Sequence, residues 1–203
     1  MTRTLLSEKI IGLILLATVM LIGCRSSAPP VQFYTLSATR TQTVSNTITA
    51  LKPISVGVGP VAIPEVLDRP QIVVRTSPNK LKIDEFHRWA EPLKDSFGRV
   101  LADNLAILLK TVDVYQYRQR RDVPVDFQVE ISVSRFFADA DGTAVLAAYW
   151  SVVGNNGKTV LSRKRSSISE KAVSRDFEAV VAAQNKTLQE LSEQVAAEIQ
   201  KLR

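Results

Sequence analysis

The sequence predicts an α+β domain, a largely antiparallel sheet with two helices packed on one face. Three observations carry that prediction. Between residues 125 and 134 apolar and polar residues alternate without a break. The turn signals DADG (139–142) and GNNG (154–157) follow at strand-length intervals. Two other stretches, 92–110 and 175–202, repeat apolar residues at three- and four-residue steps. A period of two lays one strand face on a core, whereas a period of 3.6 lays a helix stripe on it.

Taken in order, the chain opens with an export signal. Arg3 and Lys9 give a positive start, diluted by Glu8, and residues 10–22 (IIGLILLATVMLI) form an apolar run. That run falls short of the ~20 residues a helical span needs. Leu21-Ile22-Gly23-Cys24 follows directly, and small residues ahead of a cysteine there resemble the bacterial lipobox. The pattern implies cleavage between Gly23 and Cys24, a diacylglycerol on the Cys24 sulfur and an acyl chain on its new amino group. Cys24 is the only cysteine, so no intramolecular disulfide is available. A thioether to lipid would remove a lone thiol from an oxidising compartment. Each buried methylene contributes ~0.8 kcal/mol, so several acyl chains make a firm anchor. The next residue is Arg25, not Asp. In enteric-type sorting this resembles outer-membrane cargo, so the expected location is the periplasmic face of the outer membrane.

Residues 1–23 would leave 203 − 23 = 180 residues, and with them go two positive charges and one negative, so +6 becomes +5. Such a balance suits acidic partners or anionic head groups, and export removes nucleic acid from the partners. Residues 24–32 read as a lipidated tether around SSAPP (26–30), and 33–203 as a single periplasmic α+β domain. VQFYTL (31–36) predicts a first strand, and SATRTQTVSNTITA (37–50) an exposed polar loop. PISVGVGPV (53–61) predicts a second strand; its glycines match neither GxGxxG nor GxxxxGK[ST], and the run ends in Pro60. QIVVRT (71–76) gives a third strand and KLKID (80–84) a short fourth.

The first helix stripe comprises Leu93, Phe97, Val100, Leu101, Leu105 and Leu108, with Pro92 in the first turn. In VDFQVEISVSRFF (125–137), Val125, Phe127, Val129, Ile131 and Val133 face a core. TAVLAAYWSVV (143–153) is apolar throughout, as for a central strand buried on both faces. KTVLSRKRSSIS (158–169) carries Lys158, Arg163, Lys164 and Arg165, as for an exposed edge. The final stripe runs through Phe177, Val181, Leu188, Leu191, Val195 and Leu202. Gln184 and Glu198 interrupt its heptad seam, so it predicts a core-covering helix and not a coiled coil.

The chemistry concentrates in EFHRWAEPL (85–93), which holds the only histidine. Any Ser-His-Asp or Cys-His arrangement must use His87, and Cys24 is committed to lipid. No GxSxG surrounds a serine, and no HExxH or His/Asp cluster offers a metal site. Asp139 and Asp141 lie beside Gly142, where turn chemistry explains both carboxylates. The sequence therefore predicts no catalysis, metal or cofactor. EFHRWAEPL leads into the first helix, with Glu85 and Glu91 near its positive end. Trp89 and Phe86 can pack on the sheet, and His87 or Arg88 can bond a carboxylate or carbonyl. Two readings of the segment stay open: a structural junction, and a partner-contact patch of the kind that aromatic and arginine side chains anchor.

Leu67–Leu105, together with FYTL (33–36) and ISVGVGPVAIPE (54–65), resembles the PqiC family of ABC-type transport auxiliary lipoproteins. The matching residues are Asp68, Arg69, Pro70 and Gln71, then Glu85, Phe86, His87, Arg88, Trp89, Ala90, Glu91 and Pro92. Beyond about residue 112 the match is one of strand pattern. The resemblance implies an outer-membrane lipoprotein that works with an inner-membrane Pqi protein and a periplasm-spanning MCE protein. Together these move lipid or maintain the envelope, and because MCE proteins form rings a matching homo-oligomer is expected. It implies no catalytic residue; Asp68, Arg69, Pro70, Phe86, His87, Arg88, Trp89 and Glu91 are the candidates for partner contact or junction. The rival from another class is a pilotin-like lipoprotein that assembles an envelope machine without a lipid substrate. A periplasmic lipid hydrolase would lack its nucleophile machinery.

Overall fold

The structure is a computed structural model that describes residues 29–38, 54–116, 124–154 and 157–203. The predicted signal, Gly23, Cys24 and most of the tether lie outside the described residues, as do most of the polar loop and the two asparagines of GNNG. The elements below belong to the compact unit Val31–Arg203. In order they are β1 (Gln32–Tyr34), β2 (Val56–Ala62), β3 (Gln71–Ser77), β4 (Lys80–Trp89), α1 (Leu93–Leu109), β5 (Val114–Gln116), β6 (Phe127–Asp139), β7 (Thr143–Gly154), β8 (Thr159–Lys171) and α2 (Phe177–Leu202).

The strands form one mixed sheet organised on β6. Along one edge β6 is antiparallel to β7, from Gln128↔Val153 to Ala138↔Ala144, and β7 is antiparallel to β8, from Gly154↔Thr159 to Thr143↔Lys171. Two strands share the other edge. β2 runs parallel to the first half of β6, from Val56↔Phe127 to Ala62↔Ser132, and β3 runs parallel to its end at Val74↔Ala138 and Arg75↔Asp139. Outside β2 lies the parallel β5; outside β3 lie the antiparallel β4 and then the parallel β1. The long ladders are antiparallel, as predicted. The parallel pairings and β5 are additions that local pattern does not announce: three residues are too few to show a period, and partner direction is set by tertiary packing.

Both helices cover the same sheet face. Phe97 of α1 meets Phe136 of β6 edge-on, with centroids 5.4 Å apart at 83°. Trp150 Nε1 on β7 donates to Ser166 Oγ on β8, which donates to Gln194 Oε1 on α2. Val56, Val129, Ile131, Leu146, Leu101, Leu105, Leu188, Leu191 and Ile199 fill the space between. Each such side chain contributes roughly 1.5–3 kcal/mol by leaving water. A polar tie is fully used: Asn104 Nδ2 donates to Ser192 Oγ at 3.1 Å, and Ser192 Oγ donates to the Leu188 carbonyl at 2.7 Å. The helix ends fall just inside their predicted limits. Pro92 is the N-cap of α1 and not a first-turn residue, and Lys110 closes that helix in the left-handed region at φ 52°. The Asp176 carboxylate caps α2 by accepting the Ala179 N–H at 2.8 Å.

Several strands depart from their simple patterns. Val133↔Ala148 is followed by Arg135↔Ala147, so Ser134 is an extra residue. This bulge shifts the period by one and sends Phe136, not Arg135, into the core. β2 passes through Pro60, as the predicted strand 53–61 does, and ends at Ala62, with a shift in register between Val58 and Val61. β7 is buried on both faces as predicted, except at Tyr149, which is 53% exposed. β8 pairs only with β7 and is the predicted edge. The DADG turn uses Gly142 at φ 84°. Asp141 there accepts from Lys171 Nζ at 2.6 Å and the Thr143 N–H at 3.0 Å, which pull its carboxyl down to about 2.

The main correction concerns EFHRW. EFHRWAEPL does run into the first helix, which starts at Leu93, but KLKID is not a short separate strand: it and EFHRW are parts of β4, which continues to Trp89. Glu85 therefore stands within a strand and not at the positive end of α1.

Candidate functional site

β3 and β4 keep register from Arg75↔Leu81 to Val73↔Ile83 and next meet at Gln71↔Arg88. Residues 84–87 thus stand opposite Ile72 alone, and so wide a bulge strands backbone N–H groups. Asp84 supplies the acceptor. Its Oδ1 accepts from the Phe86 and His87 N–H groups, both at 3.1 Å, and lies 2.7 Å from His87 Nδ1. Its Oδ2 pairs with Lys82 Nζ at 3.1 Å. Burial pushes this carboxyl up, but bonds from His87, Lys82 and the Phe86 N–H outweigh it and hold the group below its ordinary value. An aspartate serving N–H groups two and three residues ahead is Asx-turn chemistry inside a strand.

With Nδ1 turned toward Asp84, the His87 ring lies flat on Phe177, 3.8 Å between centroids at 12°. Tyr34 of β1 flanks it at 5.9 Å. Phe177 is the first residue of α2, so the imidazole ties β4 to the last helix. An aspartate–imidazole pair would be two parts of a nucleophile triad. Among the described residues, however, no hydroxyl lies within hydrogen-bond distance of His87, and Phe177 covers one ring face. The pair joins elements. His87→Gln keeps a hydrogen-bonding group and loses the stack, so we expect it to cost about 1 kcal/mol in urea titration and to spare function. Lost function at unchanged stability would instead mark proton transfer.

The two motif segments meet here. The Trp89 N–H donates to the Pro70 carbonyl at 2.6 Å, and the Ala90 N–H to that of Tyr34 at 2.8 Å. Gln71 Nε2 donates to Glu85 Oε2 at 3.4 Å, while Arg88 Nε donates to the Glu85 carbonyl at 3.0 Å. Glu91 accepts from Arg99 at 2.5 Å and from Thr35 Oγ1 at 3.0 Å; burial raises its carboxyl, but these bonds prevail and lower it. Arg99 also donates to the Leu36 carbonyl at 3.4 Å, pinning the segment after β1.

The predicted site residues therefore divide. Trp89 is 5% exposed and belongs to the core, Glu91 belongs to an ion pair, and His87 is half-buried. Asp68, Pro70 and Phe86 are exposed, and Arg69 and Arg88 are half-buried. Phe33, 65% exposed, stands in register beside Arg88. Sequence reasoning missed Asp84, Tyr34, Thr35, Arg99 and Phe177. Asp84 had a signal, an Asx residue at the right offset from EFH; Phe177, ninety positions away, had none. Among the described residues no group of three potential ligands could hold a metal ion, and no helix is long and apolar enough to cross a membrane.

The fold class recurs in solved structures. An uncharacterized protein superposes with a TM-score of 0.68 at 19% identity, covering 84% of this chain and 99% of its own. A protein from Xanthomonas campestris superposes with a TM-score of 0.65 at 19% identity, covering 81% and 92%. At that identity they define the fold alone. The family model of the ABC-type transport auxiliary lipoprotein component matches residues 34–196, and the chain belongs to that family. No curated protein matches.

Proposed function

We propose that this chain is the outer-membrane lipoprotein of a Pqi-type intermembrane lipid transport system, docking a periplasm-spanning MCE tunnel to its membrane. Membership of a transport auxiliary lipoprotein family supports the general role. The observation that carries the specific reading is the convergence of DRPQ and EFHRW on one junction, with Phe33, Phe86 and Asp68 left exposed around it. Trp89, His87 and Asp84 hold the junction rigid, so these outward groups can meet a partner at little entropic cost. An inner-membrane Pqi protein completes the system, and a homo-oligomer would match the ring of its MCE partner.

The anchor is Cys24, cleaved from Gly23. Cys24→Ala should abolish acyl-chain labelling and release the protein from the membrane fraction; retained labelling would sink the anchoring assignment. The docking reading is tested by cross-linking the lipidated protein in intact cells and identifying the adducts. An MCE protein is the expected adduct, lost in Phe33→Ser/Phe86→Ser at normal thermal stability. An adduct confined to a secretion or pilus machine would replace this reading.

A further inference from the structure

The sheet face turned away from the helices has its own chemistry. On β8, Ser162, Lys164 and Ser166 reach α2: Ser162 bonds Glu198, Lys164 pairs with it, and Ser166 bonds Gln194. Strand alternation then turns Arg163, Arg165 and Ser167 to the opposite side. On β7, Trp150 lies on the helix side through its bond to Ser166, so Tyr149 lies on the open side. The register aligns the residues of this side in rows, Glu130–Ser151–Arg163, Ser132–Tyr149–Arg165 and Arg135–Ala147–Ser167; Ser151 and Ala147 are buried between their neighbours, and Ser132, Arg135, Tyr149, Arg163, Arg165 and Ser167 are exposed.

Arg135, Arg163 and Arg165 are exposed, and among the described residues none has a carboxylate within ion-pair distance. Arg165 instead lies over the Tyr149 ring, 5.6 Å from its centroid. Glu130, the open-face carboxylate in these rows, stands two strands from Arg163, about 10 Å by strand spacing. At the hairpin end of β8, Val160 and Leu161 are about half exposed.

We infer that this β6–β7–β8 face docks on the phosphate headgroups of an anionic bilayer, with Arg135, Arg163 and Arg165 binding phosphate and Tyr149 at the interface. Guanidinium groups suit phosphate because their forked donors bond its oxygens in pairs. Tyrosine on a strand pair whose hairpin end exposes aliphatic residues suits a surface that meets the lipid–water boundary. An acidic protein partner fits less well. Protein interfaces favour arginine and tyrosine but are depleted of serine and alanine, whereas Ser132, Ser151, Ser167 and Ala147 make up most of the rest of these rows. The inference goes beyond the docking reading, and its test omits the anchor, so the two can fail separately.

The test uses residues 31–203, the compact unit holding every described element and the core. Vesicles of phosphatidylcholine with 30% phosphatidylglycerol should co-sediment this protein at 50 mM salt, and pure phosphatidylcholine vesicles should not. Arg135→Gln/Arg163→Gln/Arg165→Gln should weaken that binding about 100-fold, with an unchanged melting temperature. The control Lys80→Gln/Lys110→Gln/Arg175→Gln removes equal charge elsewhere and should weaken it less than tenfold. No binding to the anionic vesicles overturns the proposal, as does equal loss in both variants, which would reduce the effect to net charge. If the first variant binds vesicles normally yet loses a cross-linked acidic protein, the face belongs to that protein and the proposal also fails.

Discussion

Trp89→Ala is expected to lower stability by ~3–5 kcal/mol, the usual cost of truncating a buried aromatic side chain. Trp89 is 5% exposed within the main core cluster, at the point where β4 hands the chain to α1. In a domain of this size ~1 kcal/mol moves the midpoint by ~2–4 °C, so a melt should fall by roughly 6–20 °C. Below that lowered midpoint the variant should still retain its partner, because the indole lies inside. A normal melt combined with lost partner binding would move Trp89 from the core to an interface.

The second large effect is at Asp84. Asp84→Ala removes the acceptor for two backbone N–H groups and the His87 ring, leaving part-buried donors without their partner. We expect a loss of ~3 kcal/mol by urea titration, from ~1–3 kcal/mol per stranded buried group offset by partial entry of water. Asp84→Asn keeps an acceptor and loses the charge, so it isolates the ionic part. The folded carboxyl lies below its ordinary value, so that part is complete above the unfolded value near ~3.9 and fades as pH falls through the folded one. The gap between wild type and Asp84→Asn should accordingly close as the carboxylate is protonated below about pH 4. A gap that widened with acid would contradict the assigned direction.

Elements with long uninterrupted periods were legible in the chain alone. The stripes of α1 and α2 and the alternation through Val133 report which side of each element is buried, although Gln128 and Gln184 are buried too and Leu108, Phe177 and Leu202 only partly. What escaped depended on partners remote in sequence. β2 and β3 share one edge of β6, and nothing within either strand signals that direction or that neighbour. EFHRW was misassigned for a related reason. Its wide bulge breaks the period-two pattern, and Asp84 compensates the freed N–H groups that would otherwise disqualify a strand. Within the site, composition pointed to the right segment and left a junction and a contact patch both open, but nothing in the segment announced that His87 stacks on Phe177.

The order in which the chain closes has a kinetic consequence. β2 waits for β6, as when Ser55 bonds Asp126 across 71 residues. The segment after β1 waits longer, because Ser37 is held by Asn185 of α2 across 148 residues. Leu36, next to Ser37, is buried in the same core cluster as Leu188, Leu191 and Ile199 of that last helix. Contacts of such high order make folding slow and late, since chain entropy is lost before the contacts return it. The compact unit therefore closes only once α2, the last element of the chain, is available to pack.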